Sequence, residues 1–134
     1  MAERFKIVGY WSAPADPARI EEFERDYIEN HVPVAAKLPG LLRLGTLKVA
    51  DGWQGGTPEH HRIVEAEFES RTACEASFST PEFAAMRADR QRLIDTYGVE
   101  QWAEVGELWL TELPGRREAA SAPPATGEQD HSLS

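Results

Sequence analysis

Cysteine is nearly missing from this chain: Cys74 stands alone among 134 residues, so no intramolecular disulfide can staple the fold. Basic charge is also scarce. The 14 Lys and Arg face 23 Asp and Glu, for a formal net charge of −9, and a surface of that sign repels phosphate backbones and anionic lipid headgroups alike. Nucleic acid and membrane surfaces are therefore excluded as expected partners, which leaves a small molecule or another protein. No apolar run approaches the ~20 residues of a spanning helix, and Met1-Ala2-Glu3-Arg4-Phe5-Lys6 lacks the apolar stretch of a secretion signal. A reducing, cytoplasmic setting is the expectation. Gly52-Trp53-Gln54-Gly55-Gly56 lacks the spacing and strand-to-helix setting of a dinucleotide loop. His60 and His61 are neighbours on a strand, point to opposite faces and do not readily chelate one ion. No metal site and no nucleotide cofactor is read from these residues.

What is present is the composition of a globular protein, 41% hydrophobic and 28% charged, on a chain long enough for one core that buries roughly 65–70% of its unfolded surface. Phe5 to Trp11 is aromatic and β-branched and reads as a strand, with Phe5, Ile7 and Trp11 on one face and Val8 and Tyr10 on the other. Asp16-Pro17 is a helix start. Ile20, Phe23, Tyr27 and His31 then fall within about 80° of one another on a helical wheel, and Pro33 is expected to end the helix at or before Val32. Leu41 to Val49 and His61 to Glu69 read as two further strands. Thr72-Ala73-Cys74-Glu75 matches a capping box, and Thr80-Pro81-Glu82 repeats the start signal, so a second helical region is expected to break near Ser79. Its longer part carries Phe83, Met86, Leu93, Ile94 and Tyr97 on one side and stops at Gly98. Gln101 to Leu113 closes the set as a final strand.

The order is β-α-β-β-α-β, the ferredoxin-like plan of an α+β protein with an antiparallel sheet and both helices on one face. Residues 1–113 form that domain. From Pro114 to Ser134 the chain is Pro, Ala, Ser, Gly and charge, which cannot repay the entropy of ordering, and a disordered tail is expected. The sheet face without helices carries Trp and Leu among charged groups, so a second copy laid across it is expected to give a homodimer and to enclose a cavity.

The Trp11-Ser12-Ala13-Pro14 strand end, the run from Phe23 to Pro33 with its Tyr27, three-residue gap, His31-Val32-Pro33, and the turn Leu38-Pro39-Gly40-Leu41 together resemble the EthD family of dimeric α/β-barrel proteins. The resemblance runs from about Phe5 to Leu113. It implies a cofactor-independent acid/base enzyme of isomerase, decarboxylase or cyclase type, with a histidine and sometimes a tyrosine in the cavity. A small lactone, carbonyl compound or aromatic polyketide-like metabolite is the implied substrate. The same resemblance admits a non-catalytic accessory protein of an oxygenase pathway, or a cofactor-free or haem monooxygenase.

His31, at the foot of an apolar stripe and just before a proline, is the expected proton shuttle, placed where a helix C-terminus favours the imidazolium; the alternative is a core histidine satisfied by backbone carbonyls. Tyr27 is one turn before it and could donate to a developing enolate oxygen, or simply pack. Tyr10, Trp11, Arg43, Glu65 and Trp109 are the expected substrate-binding residues, stacking on a flat ligand or lining a polar wall. Cys74, inside a helical cap, is expected to pack rather than react.

Overall fold

Four strands and four α-helices, with short 3₁₀ and π turns between some of them, make up the computed structural model, which describes residues 3–115; the expected tail from Pro114 falls almost wholly outside them. Strand β1 (Arg4–Trp11) turns Phe5 and Trp11 into the core and Val8 and Tyr10 away from it, as its alternation demands. Asp16 then accepts from the Ala18 amide at 3.0 Å and opens a 3₁₀ turn, Pro17–Arg19, that runs into α1 (Ile20–Asp26).

Pro33 does not end the helix, contrary to expectation. A single π turn, Tyr27–His31, follows α1, with the Val32 amide reaching back to the Tyr27 carbonyl, and α2 (Val32–Ala35) continues beyond it. Proline lacks an amide to donate, and the π turn shifts the hydrogen-bond register just there, so the missing donor falls at a junction instead of inside a regular ladder. His31 thus stands within a helical run and not at its C-terminal end.

Gly40, at a φ of 82°, makes the turn into β2 (Leu41–Lys48), which pairs with β3 (Arg62–Phe68) through a bulge between Leu41 and Arg43. Helix α3 (Arg71–Ser77) is capped by Ser70, whose hydroxyl accepts from the Ala73 amide at 3.1 Å; the cap is two residues earlier than the Thr72 box because Ser70 is already extended. Thr80 caps α4 (Pro81–Tyr97) by accepting from the Phe83 amide at 3.2 Å, and Gly98, at a φ of 67°, ends it in the left-handed conformation. The last strand, β4 (Gln101–Leu108), is shorter than its apolar content suggests. Its partner β1 begins at Arg4, opposite Leu108, so among the described residues those beyond Leu108 have no strand partner, and Trp109, Leu110 and Leu113 are exposed.

The sheet order is β2-β3-β1-β4, antiparallel throughout. Helices cover one face, and the core divides in two: Trp11, Phe23, Tyr27, Leu93, Tyr97 and Val99 pack at one end, Phe5, Leu38, Ala66, Phe68 and Cys74 at the other. A polar clasp joins α1 to α4. Asp26 accepts from Arg92 at 2.8 and 2.9 Å, from Asn30 at 2.8 Å and from the Tyr97 hydroxyl at 2.7 Å. Arg92 above all, helped by Asn30 and Tyr97, outweighs burial and holds the Asp26 carboxyl well below the usual carboxylate range.

A carboxylate whose pKa is lowered by folding contributes stability that is present above its unfolded value and drains away as pH falls toward the folded one. Urea unfolding should therefore show the midpoint dropping from about pH 5 to about pH 2, with a shallower drop in Asp26→Asn. Equal slopes for the two proteins would mean that this clasp does not set acid stability.

Candidate active site

The π turn places Tyr27 and His31 against the sheet, with the Tyr27 ring stacked on the imidazole at 5.6 Å between centroids and the Trp11 ring meeting it edge-on at 5.2 Å. His31 is 5% exposed. Its Nδ1 lies 2.8 Å from Oδ2 of Asp89 on α4. Burial raises the Asp89 carboxyl, but the Arg92 guanidinium, at 2.8 Å from Oδ1, and His31 together draw it below its ordinary range, so the carboxylate is charged and can only accept. Nδ1 must then carry the hydrogen, and Nε2 keeps a lone pair with no hydrogen-bond partner among the described residues. Burial pushes His31 below its ordinary value of 6.5, with Asp89 opposing. The ring is therefore neutral at pH 7, a base and not the imidazolium that a helix end would favour.

His31 lines a hollow of about 410 Å³. Ile7, Gly9 and Trp11 of β1, Val64 and Ala66 of β3, and Ala103 and Val105 of β4 form its floor; Val32 and Ala35 of α2 and Phe83 and Met86 of α4 roof it. Its origin is sequence-local. Gly9 faces Ala103 on one side and Val64 on the other, and Ile7 faces Ala66, so the middle rows of the sheet carry small side chains under the helices while the two core clusters fill the ends. A methyl group on Gly9 would come within 2.7 Å of Val64 Cγ1, so the β1 floor admits no larger residue without a shift.

The hollow lies on the helix-covered side of the sheet, inside a single chain, on the face opposite to the one expected to meet a second copy. Accordingly, Trp11, Tyr27 and His31 line it, whereas Tyr10, Arg43, Glu65 and Trp109 do not. Tyr10 follows the alternation of β1 to the outer face, where its ring lies 4.7 Å from that of His60 and 6.0 Å from that of Trp102. Arg43 pairs in register with Glu67 on that same outer face, and Glu65 binds Lys6 at 2.5 Å. Trp109 lies past the end of β4 and donates from Nε1 to Glu107 at 3.1 Å.

Asp89 was not foreseen, because its partner is 58 residues away and nothing local distinguishes it from an exposed helix acid. A second group also went unread. Arg62, buried, donates to Glu24 and, through Nη1, to Thr46 Oγ1 at 2.8 Å, while His61 Nε2 lies 2.7 Å from the same carboxylate. Burial raises Glu24, but Arg62 and His61 outweigh it and leave the carboxyl below its ordinary range. The Arg62 guanidinium stands 5.3 Å over the Tyr27 ring, and burial pushes the Tyr27 hydroxyl up in pKa. Tyr27 is thus held as a wall of the hollow. Among the described residues, no group of three His, Cys, Asp or Glu side chains could hold a metal ion, and no helix is long and apolar enough to cross a membrane.

A four-stranded antiparallel sheet in this order, with helices on one face and a buried histidine at an apolar hollow, defines an α+β protein of the ferredoxin-like fold. The family model described as the EthD domain matches residues 16–97, more than half of the chain, and the chain belongs to the EthD family. Among solved structures, an EthD-family protein from Bacillus halodurans is similar at 18% identity and a TM-score of 0.63, covering 79% of this chain and 99% of that one. The cofactor-independent oxygenase SnoaB from Streptomyces nogalater is similar at 16% identity and a TM-score of 0.52, over 86% of this chain and 100% of that one. A dimeric ferredoxin-like protein from Bacteroides fragilis is similar at 11% identity and a TM-score of 0.55, covering 79% and 97%. No curated protein matches the chain.

Because burial lowers His31 and Asp89 raises it, the two contributions separate by mutation. Histidine NMR titration, with the His31 signal assigned by its loss in His31→Gln, should give an apparent pKa below 6.5 in the wild type and lower still in Asp89→Asn. A rise in Asp89→Asn would contradict a charged Asp89 carboxylate beside His31.

Proposed function

We propose that the hollow is the active site of a cofactor-independent acid/base enzyme acting on a small lactone, carbonyl compound or aromatic polyketide-like metabolite, with isomerase, decarboxylase or cyclase chemistry. The Nδ1–Asp89 bond supports this reading most directly, since it orients the imidazole and leaves Nε2 as a base beside apolar space. In the proposed step Nε2 takes a proton from the carbon next to a carbonyl, and the electron pair moves onto the carbonyl oxygen. The resulting imidazolium, stabilised by the charged Asp89, then returns the proton to the same carbon, to a different one, or to an oxygen. Water competes poorly in a space lined mostly by aliphatic and aromatic side chains.

The fold shared with SnoaB, named as a cofactor-independent oxygenase, supports a second reading, in which the same base ionises an easily oxidised phenol that then meets oxygen. A non-catalytic binder of an apolar metabolite needs the hollow but not the Asp89–His31 pair. A homodimer belongs to the proposal as well: on the outer sheet face Leu47 and Trp102 are 59% and 42% exposed, and such side chains call for a cover.

A panel of muconolactones and aromatic polyketide acids should contain a compound that raises the melting temperature, as a ligand at about 100 times its Kd adds about 2.7 kcal/mol. His31→Gln should still be stabilised by that compound while its turnover, or its deuterium uptake from solvent at the acidic carbon, falls by about 10²–10⁴-fold. Unchanged exchange in His31→Gln would remove the histidine from the chemistry, and stabilisation with no wild-type turnover or exchange would favour the binder.

A further inference from the structure

Two cations stand among the mostly apolar lining of the hollow. Arg87 and Arg90 lie one turn apart on α4, and both line the space that Met86 and Val105 also bound. Neither has a carboxylate partner among the described residues, although the chain carries 23 acidic side chains; the nearby Asp26 and Asp89 are taken by Arg92 and His31. Arg90 is also held in place. Its Nε donates to the Gln101 side-chain oxygen and its Nη2 to the Gln101 carbonyl at 3.1 Å, which occupies the side edge of the guanidinium. The end edge, Nη1 with the second hydrogen of Nη2, is left over, and that edge matches the two oxygens of a carboxylate. Arg87 is exposed and Arg90 half-buried, and Val105 of the edge strand is 51% exposed, so the arginines mark the side on which the hollow opens.

We propose that the hollow takes an amphiphilic carboxylate, its apolar ring system lying between the sheet and α4 and its carboxylate meeting Arg87 and the free edge of Arg90 at the mouth. A protein of net charge −9 repels anions over most of its surface, so a pair of arginines with no carboxylate partner among the described residues, facing a mostly apolar space, is a selective feature against that background. The proposal rests on the reading of the hollow as a ligand site but not on the chemistry of His31.

Titration calorimetry with 2-naphthoic acid and its methyl ester tests it, because the two probes share a ring system and differ in charge. The wild type should bind the acid at least about tenfold more tightly than the ester. Arg87→Ala and Arg90→Gln should each erode that preference, with ester affinity kept within about twofold as the sign that the hollow is still formed; should Arg90→Gln lose the ester as well, Arg87→Ala alone decides. Acid that does not bind, acid that binds no better than ester, or a preference that survives Arg87→Ala would overturn the proposal. His31→Gln separates it from the acid/base reading, since this variant should keep the preference for the acid whether or not His31 moves protons.

Discussion

A single hydrogen bond between elements far apart in the chain organises this molecule's interior: the imidazole of His31, in the first helical region, donates to the carboxylate of Asp89 in the last one. A buried imidazole and a partly buried carboxylate each cost free energy when left alone, and each satisfies the other here. The bond decides which nitrogen holds the hydrogen. It also fixes the ring against Trp11 and Tyr27, and through Arg92 it is continuous with the Asp26 clasp that ties α1 to α4. The feature that could do chemistry and the feature that holds the helices together are one network.

The space beside that network comes from small side chains in the middle of the sheet. Gly9, Ala66 and Ala103 occupy adjacent strands, and the large residues that would fill the gap sit instead at either end of the core. Close packing elsewhere keeps the hollow from collapsing, since aromatic rings such as Trp11, Phe23 and Tyr27 are locked by one another. Tyr27 is pinned further by the Arg62 guanidinium over its ring, which makes it a rigid wall for whatever occupies the space.

Much of this was legible from local pattern. The two faces of β1, the stripe of Phe23, Tyr27 and His31, the Thr80 cap, the Gly98 stop and the packing of Cys74 all follow from periodicity or from backbone preferences that single residues impose, and the β-α-β-β-α-β order follows from these. What escaped depends on tertiary placement. Pro33 reads as a stop because the π turn that absorbs it has no local signal. Tyr10, Arg43 and Glu65 are expected at a cavity wall; strand alternation sends them to the outer face, the one expected to meet a second copy, while the hollow within the single chain lies on the other. Asp89, Arg87 and Arg90 are ordinary charged positions on a helix until α4 is laid against α2 and the sheet.

The most direct measurement is the position of the proton on His31. A neutron structure of the deuterated protein at neutral pD should show deuterium on Nδ1, directed at Asp89, and none on Nε2. Deuterium on Nε2 with Nδ1 bare would mean that Asp89 is the protonated partner, and the histidine would then have no lone pair to offer a substrate.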